Sequence, residues 1–400
     1  MGMPLINRFV SSRVSQIPSY PLLEINSVRR QLEVKGVEII DLAGGVPEVE
    51  APKHVIEATR DAVGVQAEVT PMGMLALREA IVEKLKKDDG SEVDPAEVLI
   101  TPGSKASLYV SILSTINAGD EILIPSPYFH PYLQQIAIAG GKPILIPCKQ
   151  GETFRLRTKD IESRVTKKTK MIILNYPNNP AGWTLTKQEL KEVVEIAHKY
   201  DLLVVSDEIY DKIIFDGLDH PHITSFDDAR ERTIMCNSFS KTYCMIRYRL
   251  GYIVADRSLV RHMAKLVIAM ITQYNPFVQE AGLAALKGPQ DFVDERREIY
   301  QKRRDFSVSQ LNKIRGVKCS KPHGAFYVFP NLHELGIPSM ELAKRLIEEA
   351  HVATTPGICF GNWDTFLRIA LTDQDENIER AIIRIEDFIE KYRNTDPVHV

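Results

Sequence analysis

Asn237-Ser238-Phe239-Ser240-Lys241-Thr242, with Arg249 eight residues beyond the lysine, is the stretch around which the rest of the chain can be read. A primary amine flanked by hydroxyls, with a guanidinium close behind, suits a ligand that carries both an aldehyde and a phosphate. The amine condenses with the aldehyde to a Schiff base, and the hydroxyls and guanidinium hold the phosphate. Taken alone, the hexapeptide is equally compatible with an ordinary loop after a strand. It acquires weight from its surroundings.

The lysine segment follows an apolar run at 233–237. That run is one of a series of short β-rich stretches that alternate with amphipathic helices from about residue 97. Runs at 98–101, 121–125, 143–147, 171–175 and 202–206 predict further buried segments, most of them strands. The segment 104–116 predicts a helix, with Tyr109, Ile112, Leu113 and Ile116 at the spacing of one buried face. Thr186-Lys187-Gln188-Glu189 predicts a capping box. The helix it opens carries Leu190, Val193, Val194 and Ala197 on its inner face. Near-continuous apolar strands between helices mean a mostly parallel sheet covered on both faces.

After about residue 288 the texture changes. A long charged amphipathic stretch (291–314) is followed by a strand (324–329), a helix (339–350), a strand (365–371) and a last helix (376–392). The expected organisation is α/β: a large domain over 46–288, its mostly parallel sheet flanked by helices, and a smaller α+β domain from 1–45 and 289–400. The first forty residues are too few to fold alone.

With 44% hydrophobic residues, the 400-residue chain can bury a large core. A formal net charge of -3 and no long basic run argue against a nucleic-acid partner. The five cysteines are odd in number and form no Cys-x-x-Cys pair, so free thiols in a reducing compartment are expected. Residues 1–14 lack an apolar signal core, Ile6 breaks the myristoylation pattern, and no run is long enough to span a bilayer. These readings predict a cytoplasmic protein with no membrane partner.

In open parallel sheets, ligands sit beyond the carboxyl ends of the strands. Thr101-Pro102-Gly103-Ser104-Lys105 ends a strand and opens a helix, whose free N–H groups favour a phosphate. Tyr176-Pro177-Asn178-Asn179-Pro180-Ala181-Gly182 is a proline-stiffened loop able to fix an Asn amide, or else a plain turn. Asp207-Glu208-Ile209-Tyr210 places an acid at a buried strand end, which is costly unless a positive charge faces it. A protonated pyridine nitrogen is such a charge, though an acid facing a helix dipole is the simpler alternative. An amine, phosphate-binding groups and a ring-nitrogen partner together are the chemical signature of pyridoxal phosphate. Asp219-His220-Pro221-His222 lacks a third ligand at helical or loop spacing and predicts a surface turn, with no metal site. Gly141-Lys142 is not a Walker loop, and no Gly-x-Gly-x-x-Gly or Gly-x-Ser-x-Gly occurs.

Joined in order, these segments resemble the class I/II aminotransferases, pyridoxal-phosphate enzymes of fold type I. Leu42-Ala43-Gly44-Gly45-Val46-Pro47, Gly73, Leu77-Arg78-Glu79-Ala80, Pro125-Ser126-Pro127-Tyr128-Phe129, Gly324-Ala325-Phe326-Tyr327, Pro356-Gly357 and Arg368 extend the match along nearly the whole chain. The resemblance implies that Lys241 carries the cofactor and moves protons. It implies that Asp207 meets the ring nitrogen, that Tyr210 and Asn179 meet the ring oxygen, and that Phe129 stacks on the ring. Ser104, Lys105, Ser238, Ser240 and Arg249 match phosphate-binding positions. Arg368 matches the arginine that grips the substrate α-carboxylate, assisted by the backbone of Gly45 and by Asn179. The implied partners are an L-α-amino acid and a 2-oxo acid, with glutamate and 2-oxoglutarate as the default pair, and a second copy of the chain in a homodimer.

Five positions depart from the family pattern: Val69 in place of a tyrosine, Phe129 of a tryptophan, Ala181 of a threonine, and Arg247-Tyr248 of a small residue followed by tryptophan. Cofactor attachment is untouched, but lyase, cyclase or oxidase chemistry on the same fold stays open beside transamination. A non-catalytic regulatory protein is the third alternative, disfavoured because every charged cofactor contact is present.

Overall fold

The structure, a computed structural model, describes residues 9–65, 69–148 and 154–395. The readings of Gly2 and Ile6 lie outside the described residues. Among the described residues there are twelve strands. They are β1 (Ile40–Asp41), β2 (Val98–Thr101), β3 (Glu121–Ser126), β4 (Lys142–Pro147), β5 (Thr169–Asn175), β6 (Leu203–Asp207), β7 (Thr233–Ser238), β8 (Gly251–Ala255), β9 (Tyr327–Val328), β10 (Val352–Ala353), β11 (Thr355–Pro356) and β12 (Leu367–Ala370).

Seven of these form one sheet in the order β2-β8-β7-β6-β5-β3-β4. Only β8, which the apolar runs did not single out, is antiparallel to its neighbours. The carboxyl ends of β2, β5, β6 and β7 therefore share one edge with the start of β8. β2, β7 and β8 are buried at every position and β3, β5 and β6 nearly so, because helices cover both faces. One apolar cluster, including Val98, Leu174 and Val204, fills one face, and a second, including Leu99, Ile173 and Val205, fills the other. The alternation of neighbouring residues between faces is the period of a strand.

The capping box at Thr186 and Glu189 forms as expected, and Leu190, Val193, Val194 and Ala197 are buried. The helix Ser104–Thr115 differs from its expected face. It buries Ser107, Leu108, Val110, Ser111 and Ile112, while Tyr109 and Leu113 are half-buried. The small hydroxyls let this helix lie close on the sheet: Ser107 bonds Thr101 at 2.7 Å, and Ser111 sits 3.5 Å from Cys236.

β11, β12 and β9 form an antiparallel sheet, and β1 pairs in parallel with β10. A third core joins Ile25, Ile40 and Leu42 to residues between Tyr300 and Ile389. Tyr210, Ile213 and Phe215, from the loop after β6, belong to this core as well. The expected strand at 324–329 is only two residues long in the structure. Ala325 adopts a left-handed φ of 58°, and its N–H turns away to the carbonyl of Ile213 at 2.8 Å.

Candidate active site

At the end of β7 the Oγ of Ser238 accepts the N–H of Ser240 at 3.2 Å and opens the four-residue helix Phe239–Thr242. That turn presents Lys241 at the shared strand edge. Lys241 donates to the carbonyl of Gly45 at 2.5 Å, and its Nζ lies 5.3 Å from the centroid of Phe326. Burial, then the nearby charges of Arg368 and Arg249, pull the amine down to about 7. Near neutrality a large fraction is therefore uncharged, the form that attacks a carbonyl or takes a proton.

Ser238, Gly251 and Thr101 stand side by side across β7, β8 and β2. Beyond them Gly103, at φ 85°, turns the chain into the helix that begins at Ser104. A Cβ on Gly103 would lie 2.6 Å from Nη2 of Arg249, and one on Gly251 would lie 2.8 Å from the backbone N of Ser104. Two glycines thus allow the guanidinium to lie against a helix N-terminus. Lys105 stands beside it, its amine lowered by burial and by Arg249, with Nζ 5.7 Å from the ring centroid of half-buried Phe129. Free N–H groups, a guanidinium and an ammonium together make a site for a dianion.

Asp207 closes β6, opposite Asn175 on β5. Its Oδ2 accepts the hydroxyl of Tyr132 at 2.5 Å, while Oδ1 is buried and has no hydrogen-bond partner among the described residues. Burial raises the carboxyl to about 7 against the opposing pull of Tyr132 and the N–H of Ile209. No helix follows Asp207; residues 209–212 form a turn, so helix-dipole stabilisation is not available to it. Tyr210 on that turn meets the hydroxyl of Tyr327 at 2.9 Å.

Arg368, buried on β12, donates from Nη1 to Asn179 Oδ1 at 2.9 Å and from Nη2 to Thr355 Oγ1 at 3.1 Å and to the carbonyl of Ala43. Its Nε is buried without a hydrogen-bond partner among the described residues. The guanidinium sits 4.4 Å from the centroid of Tyr327. Gly45 is required where it stands, because a Cβ there would lie 2.0 Å from the Tyr327 hydroxyl.

The structure therefore joins Lys241 to Gly45, Asn179 to Arg368, and Arg249 to the start of the Ser104 helix. It differs from the sequence reading at Asp219-His220-Pro221-His222, which is not a plain surface turn. His222 is buried and meets Glu208 at 2.5 Å; His220 meets the same carboxylate at 3.3 Å. The third partner missing at local spacing is Glu208, supplied by the fold. Ser206, Tyr176 and the N–H of Ile223 also donate to Glu208. Burial opposes charge on His222, but Glu208 and Asp88 hold its pKa at about 9. Tyr132 escaped the sequence reading because it lies inside the helix Pro131–Ala139 and not at a strand end, and Tyr327, quoted above only as part of the Gly324–Tyr327 match, was given no role.

The family model for class I and II aminotransferases matches residues 37–385. The chain is 35% identical to a probable aspartate/prephenate aminotransferase of Aquifex aeolicus, over 96% of this chain and 99% of that one. It is 36% identical to aromatic-amino-acid aminotransferase 2 of Thermococcus litoralis, over 89% and 93% of the two chains. Among solved structures, the aspartate aminotransferase from Rhizobium meliloti superposes with a TM-score of 0.90 at 31% identity, covering 95% of this chain and 98% of that one.

Proposed function

This chain belongs to the class I and II aminotransferases, and from that premise we propose how its residues divide the work. The observation that carries the reading is the carboxylate of Asp207, one oxygen held by Tyr132 and the other buried without a hydrogen-bond partner among the described residues. A cationic ring nitrogen supplies the charge that such an oxygen lacks. The dianion site at Ser104, Lys105, Ser238, Ser240 and Arg249 fits the phosphate of the same molecule. Pyridoxal phosphate fits both ends, with Lys241 between them. When bound, it supplies an aldehyde that links to amines and a ring that accepts electrons from the substrate α-carbon.

The protein's own contribution is positional. Arg368 orients the α-carboxylate of an amino acid or 2-oxo acid through a planar pair of donors, with Gly45 and Asn179 beside it. Lys241, with a large uncharged fraction near pH 7, takes and returns the α-proton. Tyr210 and Asn179 serve the ring oxygen, and Phe129 one face of the ring. In the division 46–288 and 1–45 with 289–400, the site draws Lys241 and Asp207 from the larger part and Arg368 from the smaller. Closure of one part on the other would shield it from water.

A homodimer is supported by exposed Ile268, Met270 and Ile271 at the end of the helix Arg257–Ile271, near the Arg249 edge. Five buried, unpaired cysteines suit the cytoplasm, and among the described residues no helix is long and apolar enough to cross a membrane. The decisive test is borohydride trapping of added pyridoxal phosphate followed by peptide mapping. Label on Lys241, and conversion of the bound cofactor to its amine form by members of a panel of twenty amino acids, are expected. Label elsewhere, or none, overturns the assignment.

A further inference from the structure

Tyr327 has no role in the reading so far, yet it touches three parts of the site. Its hydroxyl meets that of Tyr210 at 2.9 Å. Its ring lies under the Arg368 guanidinium at 4.4 Å, and its hydroxyl packs against Gly45 so closely that no side chain fits there. The residue is buried, and Tyr210 lies edge-on to it with centroids 5.9 Å apart. We propose that Tyr327 is a positioning residue that couples the carboxylate-binding Arg368 to the cofactor-side phenol of Tyr210.

This role for Tyr327 rests on the functional reading above and on the number of hydroxyl protons available. Tyr210 has one hydroxyl proton. If it serves an acceptor on the cofactor, it cannot also donate to Tyr327. The 2.9 Å contact then runs the other way, with Tyr327 donating to the Tyr210 oxygen. A hydroxyl that receives a hydrogen bond is a stronger donor through its own proton, because the chain polarises cooperatively in a low-dielectric site. The ring of Tyr327 does separate work. Its face attracts the Arg368 cation and, with Asn179 and Thr355, holds the guanidinium plane where a carboxylate must dock. One side chain therefore sets the donor strength at one end of the site and the docking plane at the other.

The two jobs separate by substitution. Tyr327→Phe keeps the ring and removes the hydroxyl; Tyr327→Leu removes both. The loaded enzyme's near-ultraviolet and visible bands report protonation of the linked cofactor, and a stronger donor at the ring oxygen favours the deprotonated form. In Tyr327→Phe the pH midpoint of the band change should move upward. Its kcat should fall about tenfold, with KM for the amino acid within twofold of wild type. In Tyr327→Leu the same upward shift should be joined by a roughly tenfold rise in KM. Because both variants lack the hydroxyl, the midpoint of either one reports it if the other fails to fold, and adding Tyr327→Phe to Tyr210→Phe should move the midpoint no further than Tyr210→Phe alone.

An unmoved midpoint in Tyr327→Phe or Tyr327→Leu, or a further shift when Tyr327→Phe is added to Tyr210→Phe, overturns the coupling. So does a Tyr327→Phe variant whose KM rises as much as that of Tyr327→Leu. Failure of the wild type to take up pyridoxal phosphate at all would instead reject the functional reading, so the two failures are distinguishable.

Discussion

The hydroxyl of Tyr132 donates to Oδ2 of Asp207 at 2.5 Å inside the protein, and it is the side chain that most strongly opposes the upward push of burial on that carboxyl. Removing the donor leaves a buried anion short of a partner, at a cost of about 1.5–3 kcal/mol. Tyr132→Phe is therefore expected to weaken pyridoxal-phosphate binding by roughly ten- to a hundredfold. The Asp207 carboxyl, already at about 7, should rise further, so the loss is greatest near and just above neutrality, where only the wild-type group is ionised. Fluorescence titration of the apoprotein from pH 6 to 9 measures this. Unchanged affinity would show that Tyr132 does not support Asp207.

Lys241 should be reactive at neutral pH. With its amine at about 7, the rate at which pyridoxal phosphate labels the apoprotein should climb through that pH and then level off. A rate still rising at pH 10 would contradict the burial argument. Lys241→Ala should lose transamination by roughly a thousandfold or more, as expected for removal of both base and anchor.

Arg368→Lys keeps the charge but loses the planar pair of donors. The expected loss in kcat/KM is about 2–3 kcal/mol, roughly a hundredfold, with the melting temperature little changed. An equal loss for an amine that lacks the α-carboxylate would show that Arg368 does not hold that group.

His222 makes a prediction about stability. Its pKa in the fold is about 9 against an ordinary 6.5, so the folded protein holds a proton that the unfolded chain releases. The stabilisation is complete below about pH 6.5 and is lost as pH rises towards 9. The wild-type melting temperature should fall across that window relative to His222→Gln. The variant should be less stable by about 3 kcal/mol at pH 6.5, because it leaves the buried Glu208 without its charged partner. Parallel curves would remove His222 from the account.

Much of the fold was legible locally. Leu190, Val193, Val194 and Ala197 face inward because a helix repeats every 3.6 residues, and Thr186 caps it because its hydroxyl reaches the N–H three residues on. The buried face of the Ser104 helix was misread because serines at 107 and 111, polar in composition, pack inside where Thr101 and the sheet accept them. Lys241, Asp207 and Arg368 were visible as chemistry at predicted strand ends or in a family pattern. Val69 and Arg247-Tyr248 have no counterpart contact that assigns the amino acid substrate.

The partners of those residues were not legible. Tyr132 meets Asp207 across 75 positions, and Tyr210 meets Tyr327 across 117. The amino-acid order alone determined which segments become strands and helices and which bear an amine, an acid or a guanidinium, since these follow from near-neighbour periodicity and side-chain chemistry. Only the tertiary structure decided that Glu208 gathers two histidines, that one oxygen of Asp207 is left open, and that Tyr327 lies between Tyr210 and Arg368. Those relations depend on how the strands are ordered and packed, and no local repeat in the chain records that.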